Sequence, residues 1–69
     1  MLTWETAEPN IVVAHLNGYS YTITLDEDEE VWGVEITDPD GGVDNEVHDT
    51  IEEAKDYCER TAAEVQSEE

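Results

Sequence analysis

The dipeptide Asn17-Gly18 is the feature that most constrains the fold of this chain. Both residues tolerate the positive φ angles of a type I′ turn, the preferred two-residue connection of a β-hairpin. The flanking runs alternate along the chain, so a two-residue loop sets their register and predicts four pairs on one almost wholly apolar face. These pairs are Leu16 with Tyr19, Ala14 with Tyr21, Val12 with Ile23, and Asn10 with Leu25. The sequence therefore predicts a hairpin with one apolar face and one mixed face.

Two more strands are predicted after this hairpin. Trp32, Val34 and Ile36 alternate with small or polar residues, which indicates a third strand with its apolar side facing inward. The segment DPDGG at 38–42 combines proline, aspartates and glycines, the residue types that form tight turns. A short strand over about residues 43–47 is therefore expected to fold back antiparallel to the third strand.

The N-terminal residues predict a further strand at the edge of the sheet. Leu2, Trp4 and Thr6 form another alternating fragment. Pro9 has no backbone N–H to donate, so it interrupts a hydrogen-bonded ladder and is tolerated where a strand ends or lies at an edge. We therefore expect this fragment to form an edge strand that ends before Pro9.

The C-terminal segment changes to helical spacing, and it starts with a capping box. The Thr50 side chain can accept a hydrogen bond from the Glu53 backbone N–H, while the Glu53 side chain can reach back to the Thr50 N–H. A helix is therefore predicted to begin near Ile51. The residues of its apolar stripe are Ile51, Ala54, Tyr57, Cys58, Thr61, Ala62 and Val65. Such a stripe needs a second layer to cover it, and the predicted sheet supplies that layer.

Both cations of the chain fall on this predicted helix. The expected ion pairs, at spacings of three or four residues, are Lys55 with Glu52 and Glu59, and Arg60 with Asp56 and Glu64. Each such pair contributes about 0.2 to 0.5 kcal/mol to an isolated helix. We expect the pairs to reduce charge repulsion on an acidic helix rather than to form a basic binding site.

Together these elements predict an α+β fold. An antiparallel meander of four to five strands is expected, with one C-terminal helix packed on one face. A chain of 69 residues buries only about 60% of the surface that its unfolded form exposes, so it forms one small domain. We assign residues 1–66 to this domain and residues 67–69 to a flexible acidic tail.

The charge balance excludes several classes of partner. Asp and Glu number 20 and Lys and Arg number 2, which gives a formal net charge of −18 and a pI near 4.1. A surface of this sign repels DNA, RNA and anionic lipid. The chain has no apolar run of about 18 residues and no positively charged N-terminal segment, so neither a membrane span nor a signal peptide is predicted. The single Cys58 cannot form an internal disulfide, which is typical of a reducing cytoplasm.

The acidic turn does not have the spacing of a calcium-binding loop. An EF-hand loop starting at Asp38 requires an oxygen ligand at its fifth position, glycine at its sixth and glutamate at its twelfth. The chain has Gly42, Val43 and Asp49 at those positions. We therefore expect no specific calcium site, and we interpret the acidic run at 26–30 as a solvated charge cluster between strands.

Three other side chains with potential chemistry have a simpler structural interpretation. His15 and His48 could form a metal site with a carboxylate such as Asp49, but no spacing fixes their geometry. Cys58 lies on the apolar stripe of the predicted helix, where a buried thiol behaves as a small hydrophobic group. We therefore expect no catalytic, cofactor-binding or metal-binding residue in this chain.

Two resemblances carry further expectations. The near absence of lysine, the many Asp and Glu residues and the low pI resemble the cytoplasmic proteins of extremely halophilic archaea, which implies a cell interior with molar potassium chloride. Residues 31–59 resemble the strand, turn, strand and T-x-E-E-A helix of the HicB-like antitoxin domain, through Asp38-Pro39-Asp40 and the segment TIEEA at 50–54. The N-terminal hairpin is additional to that pattern, and the resemblance assigns no site residue.

The leading functional hypothesis is a non-catalytic module that binds another protein. The alternatives are a nucleic-acid mimic or antitoxin-like inhibitor, which would bind a basic protein, and a small metal-binding or enzymatic domain. No direct binding to nucleic acid or to a membrane is expected, and no cofactor. Ile11, Val13 and Val31 are predicted to point away from the helix, so the uncovered sheet face is a candidate surface for a homodimer.

Overall fold

Five antiparallel strands and one C-terminal helix form the fold in the computed structural model, which describes residues 2–67. The strands are β1 (Glu5–Glu8), β2 (Ile11–Leu16), β3 (Tyr19–Asp26), β4 (Val31–Thr37) and β5 (Val43–His48), and the helix is α1 (Ile51–Ser67). Each strand pairs with the next one along the chain, so the sheet order is β1-β2-β3-β4-β5. This arrangement confirms the predicted α+β fold, an antiparallel meander with one helix packed on it.

The hairpin of β2 and β3 has the predicted turn and register. Asn17 and Gly18 have φ angles of 54° and 84°, the positive values that a type I′ turn requires. Three predicted pairs lie opposite each other in the ladder: Leu16 with Tyr19, Ala14 with Tyr21, and Val12 with Ile23. The Leu25 N–H donates to the Asn10 carbonyl oxygen at 2.9 Å, which continues the ladder to the fourth pair.

The turn between β4 and β5 is held by one carboxylate. Asp38 Oδ1 accepts hydrogen bonds from the backbone N–H groups of Asp40 and Gly42, at 3.0 and 2.7 Å. Gly41 adopts a φ of 97°, which residues with a Cβ rarely occupy. The strand β5 follows directly, so the predicted returning strand is confirmed, and it extends to His48.

The N-terminal edge strand is confirmed, but it begins later than the alternating residues predict. β1 covers Glu5–Glu8, and all four of its side chains are exposed. Leu2 is buried in the core and Trp4 packs against it, and both residues precede the strand. Burial of these two apolar side chains, rather than continuation of the hydrogen-bonded ladder, therefore decides the path of the chain before Glu5.

The helix α1 begins at Ile51, as the capping box predicts. The Glu53 N–H donates to Thr50 Oγ1 at 3.1 Å, which satisfies one of the free N–H groups of the first turn. The fully buried members of the predicted stripe are Ala54, Cys58 and Ala62. Because these side chains are small, the helix backbone can approach β3, β4 and β5 closely.

The helix α1 reaches the first residue of the predicted acidic tail. The helix includes Gln66 and Ser67, so Ser67 is helical although it was assigned to the acidic tail. The side chain of Val65 and the rest of the predicted tail, Glu68 and Glu69, lie outside the described residues. Within residues 2–67, no helix combines the length and the hydrophobicity needed to cross a membrane.

Arg60 forms one of its two predicted ion pairs. Its Nε lies 2.9 Å from Asp56 Oδ2, one helical turn earlier, and both side chains are largely exposed. Within the described part of the chain, the predicted pair with Glu64 is not formed. An exposed pair of this kind contributes little to stability, because water and salt screen it.

Lys55 does not form the ion pairs predicted for it. Its Nζ lies 5.9 Å from the centre of the Trp4 ring, and neither Glu52 nor Glu59 pairs with it among the residues described. The Trp4 ring is already held against the core, so the cation can contact it without ordering a second flexible side chain. An ion pair with an exposed glutamate would require both the lysine and the glutamate side chains to lose conformational freedom.

The core lies between α1 and one face of the sheet, which we name the covered face. Its buried sheet residues are Ala14, Tyr21, Ile23, Val34 and Ile36. The covered face also includes Asp44, Glu46 and His48 of β5, since they lie opposite inward-facing residues of β4. Other covered-face residues share these registers: Val12, Leu16, Tyr19 and Trp32, which pack against the core, and Leu25. Side chains alternate along each strand, so the strand residues between these point to the opposite side, the uncovered face.

Candidate interaction surface on the uncovered sheet face

The uncovered face is a mixed surface of β-branched, hydroxyl and small residues. The strand registers place on it Glu5 and Glu8 of β1; Ile11, Val13 and His15 of β2; Ser20, Thr22, Thr24 and Asp26 of β3; Val31, Gly33, Glu35 and Thr37 of β4; and Val43, Asn45 and Val47 of β5. Three of these, Ile11, Val13 and Val31, were predicted to point away from the helix, and their orientation is confirmed.

Two exposed valines on this face were not identified from the sequence. Val43 is 49% exposed and Val47 is 65% exposed, and these are the exposed large hydrophobic residues of the described chain. Both belong to β5, a strand at the edge of the sheet. The alternation of these valines with polar residues indicated a strand. It did not show which face of the sheet the valines occupy, because that depends on the register of β5 with β4.

A groove of about 310 Å³ lies on the uncovered face near the middle of β4. It is lined by the uncovered-face residues Thr22, Thr24, Gly33, Glu35, Asn45 and Val47, and by Val34 and Glu46, whose side chains belong to the covered face. Gly33 lies opposite Thr24 on one side and opposite Val47 on the other. Because glycine has no side chain, backbone atoms line the groove at this position.

The described fold does not require glycine at position 33. The φ angle of Gly33 is outside the positive range that favours glycine. A Cβ placed there would meet one atom within 4 Å, the Thr24 carbonyl oxygen at 3.8 Å, which is an ordinary contact. Glycine inside a strand is unfavourable, because it loses more conformational freedom on folding than other residues and packs no side chain.

The carboxylates of the uncovered face lie mostly at its margins. Glu35 is near the centre, whereas Asp26 is at the end of β3, and Glu5 and Glu8 belong to the edge strand β1. The other acidic strand residues, Asp44 and Glu46, belong to the covered side of β5. The helix and the turns carry most of the remaining acidic residues, including the run at 27–30. The centre of the uncovered face therefore has fewer carboxylates than its margins and the acidic turn at 27–30.

The two histidines lie on opposite faces of the sheet. His15 is on the uncovered face, where its Nδ1 lies 3.2 Å from Ser20 Oγ. His48 is on the covered face, where its ring centre lies 5.1 Å from that of Tyr57. Across residues 2–67, no cluster of three or more His, Cys, Asp or Glu side chains could hold a metal ion. The fold therefore does not bring His15, His48 and Asp49 together as a ligand set.

Cys58 is completely buried in the core, on the covered side of the sheet. Burial raises the pKa of its thiol from 9.0 to about 12, and the negative charge of Glu59 contributes in the same direction. Burial also raises the pKa of Tyr21 and of Tyr57 above the ordinary value of 10.0. Since the thiolate is the nucleophilic form, this environment gives Cys58 a packing role.

Alkaline pH is expected to destabilise the fold. The raised pKa values of Cys58, Tyr21 and Tyr57 mean that folding favours their neutral forms. For Cys58 this contribution is complete below pH 9 and is lost as the pH rises toward 12. The urea midpoint at constant potassium chloride should therefore fall between pH 9 and pH 11, and fall less in Cys58→Ala. A midpoint that is independent of pH in both proteins would contradict the burial of these groups.

No family model, curated protein or solved structure matches the chain.

Proposed function

We propose that this protein is a non-catalytic interaction module, which binds another protein through its uncovered sheet face in a cytoplasm of high salt. The observation that supports this function is the exposure of Val43 and Val47 on the same face as the groove. Apolar side chains that remain in water beside a depression are typical of protein-binding surfaces. A partner covering this face would remove both valines from water.

The chemistry of the groove favours binding over catalysis. Its side chains supply two threonine hydroxyls, one carboxylate, one amide and the methyl groups of Val47. Covalent catalysis needs an activated nucleophile beside a base. Cys58 and His48 belong to the covered side of the sheet. Ser20 and His15 lie 3.2 Å apart on the uncovered face, but neither residue lines the groove. The groove residues are therefore suited to shape and hydrogen-bond recognition.

Binding between acidic proteins requires high salt, because the negative charge of the chain must be screened. A protein of net charge −18 repels other acidic proteins strongly in dilute solution. At about 1 M salt the screening length is only about 3 Å, so two acidic surfaces can approach each other. The centre of the uncovered face has fewer carboxylates than its margins, so an approach there costs less. The free thiol of Cys58 is consistent with a reducing cytoplasm.

Photo-crosslinking tests this surface directly. Benzoylphenylalanine in place of Val47, in intact cells of the source organism, should form covalent adducts with a protein on irradiation. The same residue in place of Glu53, which is exposed on α1, is the control and should give at least fivefold fewer adducts. Equal yields at the two positions, or no adduct from position 47, would contradict the proposed function.

A further inference from the structure

We infer that the uncovered face binds a second copy of this chain, packed face to face, with an apolar side chain of each copy in the Gly33 groove of the other. The inference rests on the proposed function and names the partner. Three features of the described residues support it. The fold does not require glycine at position 33, the uncovered face carries both a depression and a projecting side chain, and few carboxylates lie near the groove.

Gly33 is the first feature. Neither its φ angle nor its contacts require glycine, and a β-branched residue would suit the interior of β4 better. A glycine inside a strand often marks a place where another molecule approaches the backbone closely. The groove beside Gly33 is open to the outside of the sheet, so the approaching group must come from another molecule or another copy.

The uncovered face also carries a depression and a projecting side chain, the two complementary features of a symmetric interface. Gly33 lies in a depression, and Val47, directly opposite it in the ladder, is 65% exposed. Two copies related by a twofold axis use the same patch on both partners, so a depression and a projection must lie on one surface. Val47 of one copy can therefore fill the groove beside Gly33 of the other, which buries an exposed valine in each copy.

Charge favours a second copy over a basic partner. A basic protein would be attracted to the turns, above all to the acidic run at 27–30, whereas α1 carries Lys55 and Arg60 among its carboxylates. The centre of the uncovered face instead presents valine and threonine around one carboxylate, Glu35, and matches a surface of its own composition. The other carboxylates of this face, Asp26, Glu5 and Glu8, lie at its margins. Two copies bring their Glu35 side chains toward each other, so we expect the association to require salt.

The size of the face is close to the lower limit for a specific dimer. With strands about 4.8 Å apart and about 3.3 Å per residue, the sheet measures roughly 20 by 22 Å. One copy therefore offers on the order of 450 Å², and the pair buries about 900 Å², near the roughly 1,000 Å² of weak specific interfaces. We therefore expect a dimer that dissociates on dilution.

Sedimentation of the purified chain in 2 M potassium chloride tests the inference. The wild-type chain should change from monomer to dimer as its concentration rises from micromolar to millimolar. Gly33→Val should weaken the association at least tenfold, because the new side chain fills the groove, while its urea midpoint stays equal or rises. Gly33→Ala fills the groove less and should have an intermediate affinity.

Val47→Lys is a second test that leaves the strand interior unchanged. It should also weaken the association at least tenfold, because a charged side chain replaces the apolar one that enters the groove. Glu52→Gln, at an exposed position of α1, makes the same change in net charge and should leave the association unchanged.

Two results would overturn the inference: a wild-type chain that stays monomeric at millimolar concentration, or a dimer with the same affinity in Gly33→Val and Val47→Lys. Either result is distinguishable from failure of the proposed function, which requires crosslinking from position 47 to some protein. A crosslinked adduct with twice the 7.8 kDa mass of the chain identifies the second copy, whereas a different mass identifies another partner.

Discussion

In dilute buffer the chain is expected to unfold partly or completely, and to recover a cooperative fold above roughly 1 M potassium chloride. The physical reason is repulsion among 20 carboxylates, which Lys55 and Arg60 cannot balance. Circular dichroism and tryptophan fluorescence, recorded from 0.05 to 3 M potassium chloride, measure the transition.

The spacing of the charges explains why the effect should be large. The accessible surface is 4754 Å², so 20 carboxylates have roughly 240 Å² each and lie about 15 Å apart on average. The screening length is about 30 Å at 0.01 M, about 8 Å at 0.15 M and about 3 Å at 1 M. Neighbouring carboxylates therefore repel each other in dilute buffer and are screened in molar salt. The exposed pair of Arg60 with Asp56 offsets little of this repulsion.

The choice of cation distinguishes screening from specific binding. Sodium and potassium chloride should restore the fold at similar concentrations, whereas 1 mM calcium should not. Asp38, the first residue of the candidate calcium loop, already accepts two backbone hydrogen bonds within its own turn. A urea midpoint unchanged between 0.05 and 2 M potassium chloride would refute the salt dependence. Folding restored by millimolar calcium alone would indicate a specific calcium site instead.

Replacement of Ile23 by alanine is expected to reduce the free energy of unfolding by about 2 to 5 kcal/mol. Ile23 is 0% exposed, lies between Val12 and Val34 in the sheet, and belongs to the core cluster that includes Cys58 of α1. Truncation removes buried apolar contacts and leaves a cavity. A domain of this size has on the order of 3 to 10 kcal/mol of total stability, so the variant should be largely unfolded.

Ile11→Ala is the matched control, because it makes the same change on the uncovered face. Ile11 is only half-buried, and we expect a loss below about 1 kcal/mol. Both variants are compared by urea denaturation in 2 M potassium chloride, since guanidinium chloride would itself screen the carboxylates. Equal losses in the two variants would be inconsistent with the assignment of Ile23 to the covered face and Ile11 to the uncovered face.

Elements that depend on a few adjacent residues could be predicted from the sequence. Asn17 and Gly18 determine a turn and the register of its strands, because positive φ angles and a two-residue loop are local properties. Thr50 marks the start of α1 for a similar reason, since its side chain bonds a backbone N–H three residues later. Alternation then assigns the side chains of β2, β3 and β4 to the two faces of the sheet.

Contacts between distant segments could not be predicted in this way. Leu2 and Trp4 alternate like strand residues, but their burial in and against the core takes them out of the ladder, and β1 begins at Glu5. Lys55 has glutamates at helical spacing, but its ammonium group lies over the Trp4 ring from the other end of the chain. In both cases the packing of the core decided between two locally acceptable arrangements.

The sequence by itself determined the α+β meander, the hairpin register and the start of the helix, because turns, caps and alternation depend on neighbouring residues. The sequence also indicated the uncovered face as a candidate surface, but only the tertiary structure located the groove and the exposed valines on it. Gly33 and Val47 belong to different strands and become neighbours through the register of β4 with β5. The φ angle of Gly33 and its distance from Thr24 show that the fold does not require glycine at this position. Both are properties of the folded chain and could not be read from the sequence.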